Sequence, residues 1–98
     1  MKILVLGGSG FIGSNLINKL NDDNHDITSY SKSNGVDIRD YNKISGLIKS
    51  LQPDITFNVA SHGGSLHYVK EYAGDVFFDN VQMALNIYRS VKEHSPNT

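Results

Sequence analysis

The sequence predicts an α/β fold: four parallel strands in the spatial order 3-2-1-4, with helices on both faces of the sheet. Three observations lead there. An apolar run, Ile3 to Leu6, ends in glycines spaced Gly7-x-x-Gly10-x-x-Gly13. An amphipathic stretch follows at once, with Phe11, Ile12, Leu16, Ile17 and Leu20 as its apolar stripe. Strand-like and helix-like segments then alternate to the end of the chain, which implies right-handed crossovers and a parallel sheet.

Each element has a local cause. Lys2–Leu6 is the first strand, and Phe11 to about Leu20 is the first helix, stopped by the polar cluster Asn21-Asp22-Asp23-Asn24. His25–Tyr30 reads as a short second strand, with Ser31–Gly35 as a loop and Val36-Asp37-Ile38 as a brief third strand. Asp40 caps a helix whose apolar residues Tyr41, Ile44, Leu47, Ile48 and Leu51 fall at helical spacing. Pro53 breaks that helix, and Ile55–Ala60 is the fourth strand. Ser61 to about Asp75, with adjacent glycines and mixed polarity, reads as a loop. Val76–Val91 closes the chain as a helix with Phe77, Val81, Ala84 or Leu85, Tyr88 and Val91 expected on its inner stripe.

The strand–glycine turn–helix unit has a chemical meaning. Gly7 allows the sharp turn out of the strand, Gly10 leaves room for a pyrophosphate to approach the backbone, and Gly13 lets the helix pack closely. The helix N-terminus offers free N–H groups and a partial positive charge to that anion. A dinucleotide should therefore lie across the carboxyl ends of the first and fourth strands, where the strand order reverses. The composition restricts the alternatives. Ninety-eight residues make a single domain, and the net charge of −1 gives no reason to expect nucleic acid or an anionic membrane as a partner. Absence of cysteine excludes disulfides, thiolate catalysis and cysteine-bound metal, and the four histidines do not form a metal spacing. No signal peptide or membrane span is read, so a cytoplasmic location is expected.

The segment Lys2–Gly13 resembles the opening of the extended short-chain dehydrogenases/reductases, a Rossmann-type group of NAD(P)-dependent nucleotide-sugar epimerases, dehydratases and reductases. Val36-Asp37-Ile38-Arg39-Asp40, Pro53–Ser61 and Asn80–Ile87 resemble further segments of that family. Gly63-Gly64 and Asp79-Asn80 are most similar to GDP-fucose synthases, and Asp37–Ala60 also resembles dTDP-4-dehydrorhamnose reductases. The resemblance implies roles residue by residue. Gly7, Gly10 and Gly13, with Phe11 and Ile12, would hold the pyrophosphate. Asp37 would accept from the adenine amino group with Ile38 beside the ring, and Ala60 and Ser61 would run along the nicotinamide-side ribose. Read from its residues alone, Asp37 also fits a loop carboxylate serving a turn. NAD-preferring relatives end the second strand with an acid, but Ser31 stands there, followed by Lys32 and Ser33. Donors and positive charge suit a 2′-phosphate, so NADP is the expected cofactor and NAD the alternative; a plain solvated loop is the other reading of these residues.

The family's catalytic tyrosine and lysine stand four apart on the helix after the fifth strand. Tyr88-Arg89-Ser90-Val91-Lys92 has that spacing, but it lies on the fourth helix, and Tyr88 is expected in the core. His62 stands near the expected substrate position and reads as a loop histidine that could touch a sugar or nicotinamide. Two readings follow. The chain is a dinucleotide-binding Rossmann half-domain, residues 1–98, of a nucleotide-sugar enzyme, lacking the catalytic half and inactive alone. Alternatively, it is a stand-alone module that binds a nucleotide or self-assembles. The apolar fourth strand carries no charge or proline to blunt its outer edge, so a homo-oligomer through that edge is expected.

Overall fold

The first strand is central because every one of its apolar residues is buried. In the computed structural model, which describes residues 1–98, β1 (Lys2–Leu6) lies between β2 (Asp26–Tyr30) and β3 (Ile55–Asn58), both parallel to it. Ile3, Leu4, Val5 and Leu6 are all excluded from solvent, as a parallel strand covered on both faces requires. The register pairs Leu6 with Tyr30 on one side and with Asn58 on the other, so the carboxyl ends of all three strands open at the same rim. The ladder extends past the strands through Gly7 N–H to the Tyr30 carbonyl and Val59 N–H to the Leu6 carbonyl.

α1 (Phe11–Asn21) covers one face, where Leu16, Ile17 and Leu20 are half-buried. α2 (Tyr41–Leu51) and α4 (Ala73–His94) pack together on the other. That second face holds the core, in which Leu4 and Leu6 meet Ile38, Ile44, Ile48, Met83 and Ile87. Asp40 caps α2 by accepting from Lys43 N–H, as its position before the first helical turn implies. No helix is long and apolar enough to cross a membrane.

Several expectations are corrected. The sheet has three strands, ordered β2-β1-β3, not four in the order 3-2-1-4. Val36-Asp37-Ile38 is not a strand, although Val36 and Ile38 turn inward and are buried. Its polar backbone is satisfied elsewhere: Val36 N–H donates to the Ser31 carbonyl, the Asp37 carbonyl accepts from Asp40 N–H, and the Ile38 and Arg39 carbonyls accept from Asn86. Those groups are therefore unavailable to a ladder with β2. β3 ends at Asn58 rather than Ala60, because Asn58 turns its side chain back to accept from Ala60 N–H.

The segment read as a loop from Ser61 to Asp75 contains α3 (Leu66–Glu71), capped by Ser65, which accepts from Tyr68 N–H; α4 then begins at Ala73. α4 also presents a different face to the core. Met83, Asn86, Ile87 and Ser90 are buried, and Val91 packs beside them, whereas Phe77, Val81, Leu85 and Tyr88 are exposed. The physical reason is that two polar residues of the inner face spend their hydrogen bonds inside. Asn86 donates to the two carbonyls of the 38–39 turn, and the Ser90 hydroxyl donates to the Asn86 carbonyl. Tyr88 is therefore a surface residue, not a core one.

Candidate functional site

The glycine turn shapes the rim where β1 ends. Gly7 has φ +89°, and a Cβ there would lie 2.6–2.8 Å from the backbone of Val59 and Ala60, so only glycine fits between β1 and the chain leaving β3. A Cβ on Gly13 would collide with the Gly7 carbonyl, so the helix and turn are in direct backbone contact. Gly10 differs: a Cβ there would meet only the Gly7 carbonyl, at 3.6 Å. Its open side faces the cleft, where the fold itself does not require glycine. The N–H groups of Phe11, Ile12 and Gly13 have no intramolecular acceptor, no side chain caps α1, and its first turn holds no acid. That helix end is a free, positively polarised donor set.

A cleft of about 630 Å³ opens above this turn. Gly7, Gly10, Phe11, Ile12 and Gly13 form its floor, with Phe11 and Ile12 exposed. Ser31, Lys32, Asp37 and Ile38 line one side, and Ala60 and Ser61 the other. The structure thus places Gly7, Gly10, Phe11, Ile12, Gly13, Ser31, Lys32, Asp37, Ile38, Ala60 and Ser61 around one cavity, while Ser33 does not line it. Ser31 lines it mainly as a structural residue. It is buried, and its hydroxyl donates to Asn34 Oδ1 at 2.8 Å and pairs with the Ser33 hydroxyl at 2.7 Å, which holds the turn after β2. Lys32 is exposed and makes no ion pair. The backbone of this cradle, its free N–H groups and the absence of an acid at the end of β2 fit a dinucleotide.

The contacts that build the far wall were not read from the sequence. The Arg39 guanidinium holds the Asp37 carboxylate through Nη2–Oδ2 at 2.7 Å and Nε–Oδ1 at 3.0 Å, and it reaches Asp79 Oδ2 through Nη1 at 3.2 Å. His62 Nδ1 lies 2.8 Å from the same Asp79 oxygen, off the line of an aligned hydrogen bond. Its Nε2 lies 2.6 Å from the Tyr68 hydroxyl, which ties α3 to the rim. Asn80 clamps the His62 backbone, accepting from its N–H at 2.7 Å and donating to its carbonyl at 3.0 Å. His62 and Asp79 line the cleft, and Tyr68 stands behind them. The sequence placed His62 near this side of the site and marked Asp79-Asn80 by resemblance, but it gave no sign that they meet Arg39.

Arg39 hydrogen bonds chiefly, with a smaller opposing effect from burial, hold the Asp37 carboxyl down at about 2. A lowered carboxyl pKa contributes stability that is complete above the unfolded value, about 3.9, and is lost as pH falls through the folded value. Asp37 is partly exposed, so the effect on stability is small and salt-screened. The expected result is a carboxyl carbon resonance for Asp37 that titrates with a midpoint near 2 in NMR. A midpoint at the ordinary aspartate value would show that the Arg39 pairing does not persist in solution.

The Tyr88–Lys92 spacing, which the sequence reads as non-catalytic, lies apart from this cleft. Tyr88 borders a separate hollow beside β3, with Ile55, Thr56 and Val91.

Comparison with known proteins agrees with this geometry. The family model described as the NAD dependent epimerase/dehydratase family matches residues 3–98. A UDP-glucose 4-epimerase from Thermus thermophilus, solved with NAD, superposes with a TM-score of 0.84 at 23% identity over 96% of this chain and 34% of its own. A dTDP-4-dehydrorhamnose reductase from Bacillus anthracis, solved with NADP, gives 0.80 at 20% identity over 93% of this chain and 32% of its own. A GDP-D-glycero-L-gluco-heptose synthase from Campylobacter jejuni, solved in the presence of NADPH, gives 0.85 at 18% identity over 96% of this chain and 27% of its own. At these identities the likeness establishes the Rossmann-type fold, and the chain spans about a third or less of the length of these proteins. No curated protein matches the sequence.

Proposed function

Because the chain belongs to the NAD-dependent epimerase/dehydratase family, we propose that its 98 residues are the dinucleotide-binding portion of a nucleotide-sugar epimerase, dehydratase or reductase. The observation that carries this reading is the cradle itself: unpaired N–H groups at the start of α1, facing a cleft floored by Gly7, Gly10 and Gly13. Phe11 and Ile12 present their backbones to the pyrophosphate. Asp37 and Ile38 receive the adenine, and Ala60 and Ser61 lie along the nicotinamide ribose. When bound, the nicotinamide supplies hydride transfer to or from a sugar carbon. These residues supply position and electrostatics, and they turn over nothing alone. Tyr88 and Lys92 do not serve as the family's catalytic pair, since Tyr88 lies outside the cleft.

NADP is the proposed cofactor. Lys32 is an unpaired cation at the end of β2, where a carboxylate would repel a 2′-phosphate. Structures of the similar proteins hold either NAD or NADP, so NAD is the alternative. Calorimetric titration with NADPH and NADH tests both points. NADPH should bind more tightly, and Gly10→Val should abolish binding while the protein stays folded, because its side chain would enter the cleft rather than the fold. Failure of both dinucleotides to bind would overturn the reading.

β2 and β3 are both edge strands that pair only with β1, and β3 is the strand whose apolar edge the sequence left unblunted. A second copy of the chain associating through that edge is part of the proposal, and the expected result in analytical ultracentrifugation is a dimer or larger species. A clean monomer would remove it.

A further inference from the structure

The chain that links the cleft wall to α4 is fastened at its two ends and at one point between. At the first end Asn80 holds the His62 backbone, accepting from its N–H at 2.7 Å and donating to its carbonyl at 3.0 Å. Gly63 and Gly64 follow at once, two successive residues with no Cβ to restrict them. At the other end Tyr72 breaks the helical path between α3 and α4, with φ −110° and ψ 31°. None of residues 63–72 is buried, and Leu66 is 86% exposed. The Ser65 cap and the His67–Glu71 pair stay inside this segment. A single side-chain hydrogen bond leaves it, between the Tyr68 hydroxyl and His62 Nε2 at 2.6 Å. Asp79 Oδ2, 2.8 Å from Nδ1, favours the imidazole proton on that nitrogen, so Nε2 accepts and Tyr68 donates. With this bond made, Gly63 lines the cleft but no residue from Gly64 to Phe78 does. α3 therefore stands aside from an open cavity while hinged to its rim.

We propose that residues 63–72 form a flap that closes over the cleft when a dinucleotide fills it, and that the Tyr68–His62 hydrogen bond is the latch that holds it back. A segment with no buried residue and one tether opens by local fluctuation, independently of the rest of the fold. A ligand closes it through contacts that exist only in the closed state, and the exposed Leu66 side chain is the apolar surface the flap has to bury there. The latch belongs only to the open state, so it opposes closure and weakens the ligand by the same factor. The inference rests on the reading of the cleft as a dinucleotide site and deepens it, from where the ligand lies to how it is retained.

The test pairs calorimetric titration of the full 98-residue chain with limited trypsin digestion, with and without saturating NADPH. Lys70 is the one trypsin site in the flap, and Lys49, exposed on α2 beside the buried Ile44 and Ile48, is the internal reference. In the native chain NADPH should slow cleavage at Lys70 by about fivefold or more relative to Lys49, because cleavage follows the open population. Tyr68→Phe keeps the ring and removes the latch, and the loss of one hydrogen bond corresponds to about three- to tenfold. Cleavage at Lys70 without ligand should rise by that factor, and NADPH should bind more tightly by the same factor, with an unchanged thermal melt. Gly64→Ala should act in the same direction with the hydroxyl intact, since its Cβ would lie 2.9 Å from the Tyr68 ring and push it away from His62. An unchanged ratio of Lys70 to Lys49 cleavage while calorimetry shows NADPH bound would overturn the flap. Weaker NADPH binding by a folded Tyr68→Phe would overturn the latch, as would unchanged cleavage in both variants. If NADPH does not bind the native chain at all, the dinucleotide reading falls and the flap falls with it.

Discussion

Gly7→Ala is expected to destabilise the protein by about 3–5 kcal/mol. Two costs combine at this position. The backbone has φ +89°, which a side-chain-bearing residue adopts only under strain, and the new Cβ would lie within 2.8 Å of the Val59 and Ala60 backbone. Neither neighbour can step aside, because Val59 N–H bonds the Leu6 carbonyl and Ala60 N–H bonds Asn58. Gly35→Ala separates the two costs. Gly35 has φ +83° but no atom within 4 Å of its would-be Cβ, so the substitution should cost about 1 kcal/mol from backbone strain alone. Urea unfolding of the two variants measures the difference. Equal losses would mean that the chain beyond β3 is not held against the turn in solution.

Asn86→Ala should cost about 3 kcal/mol, although it removes no apolar contact area of note. The amide donates to two carbonyls of the 38–39 turn and accepts from Gln82, and the residue is 4% exposed. Truncation leaves both carbonyls without a donor beneath a helix that keeps water out. Asn86→Asp should be worse than Asn86→Ala, because a carboxylate has nothing to donate and would face the same two oxygens. Chemical denaturation orders the three proteins. If the aspartate variant proved as stable as the native chain, the turn could not be hung on α4 in the way the geometry describes. Both variants should also weaken NADPH, since Asp37 rides on that turn.

These two sites mark how far the sequence could be read. The glycine turn was legible because its causes are local: an apolar strand, three glycines at fixed spacing and a helix start lie within thirteen residues. The same holds for Asp40 at the head of α2 and for Pro53 after its end. The missing strand was not legible. Val36-Asp37-Ile38 has the alternation of a strand and even its inward-facing residues, but what decides is the partner for its backbone, and that partner is Asn86, almost fifty residues away. The orientation of α4 failed for a related reason. Hydropathy placed Phe77, Val81, Ala84 or Leu85, and Tyr88 inside, whereas the buried face contains an asparagine and a serine whose hydrogen bonds make their burial favourable. The glycine floor and the 31–38 and 60–61 sides of the cleft were named from the sequence, yet the meeting of Arg39, Asp79 and His62 was not, because nothing in the spacing from 39 to 62 to 79 shows that the three come together.

The uneven cover of the sheet has a consequence for motion. β1 and the faces of α2 and α4 that enclose the core are sealed, but α1 keeps only Gly13 fully buried and rests on half-buried Leu16, Ile17 and Leu20. Local opening follows the thinnest packing, so the amide protons of α1 exchange with solvent through small fluctuations, while those of β1 exchange only when the whole chain unfolds. The helix whose N-terminus lines the cleft is thus the more thinly packed of the two layers that cover the sheet. A bound dinucleotide would act as the missing contact, slowing exchange along α1 far more than in β1 and converting part of its binding energy into order at one helix.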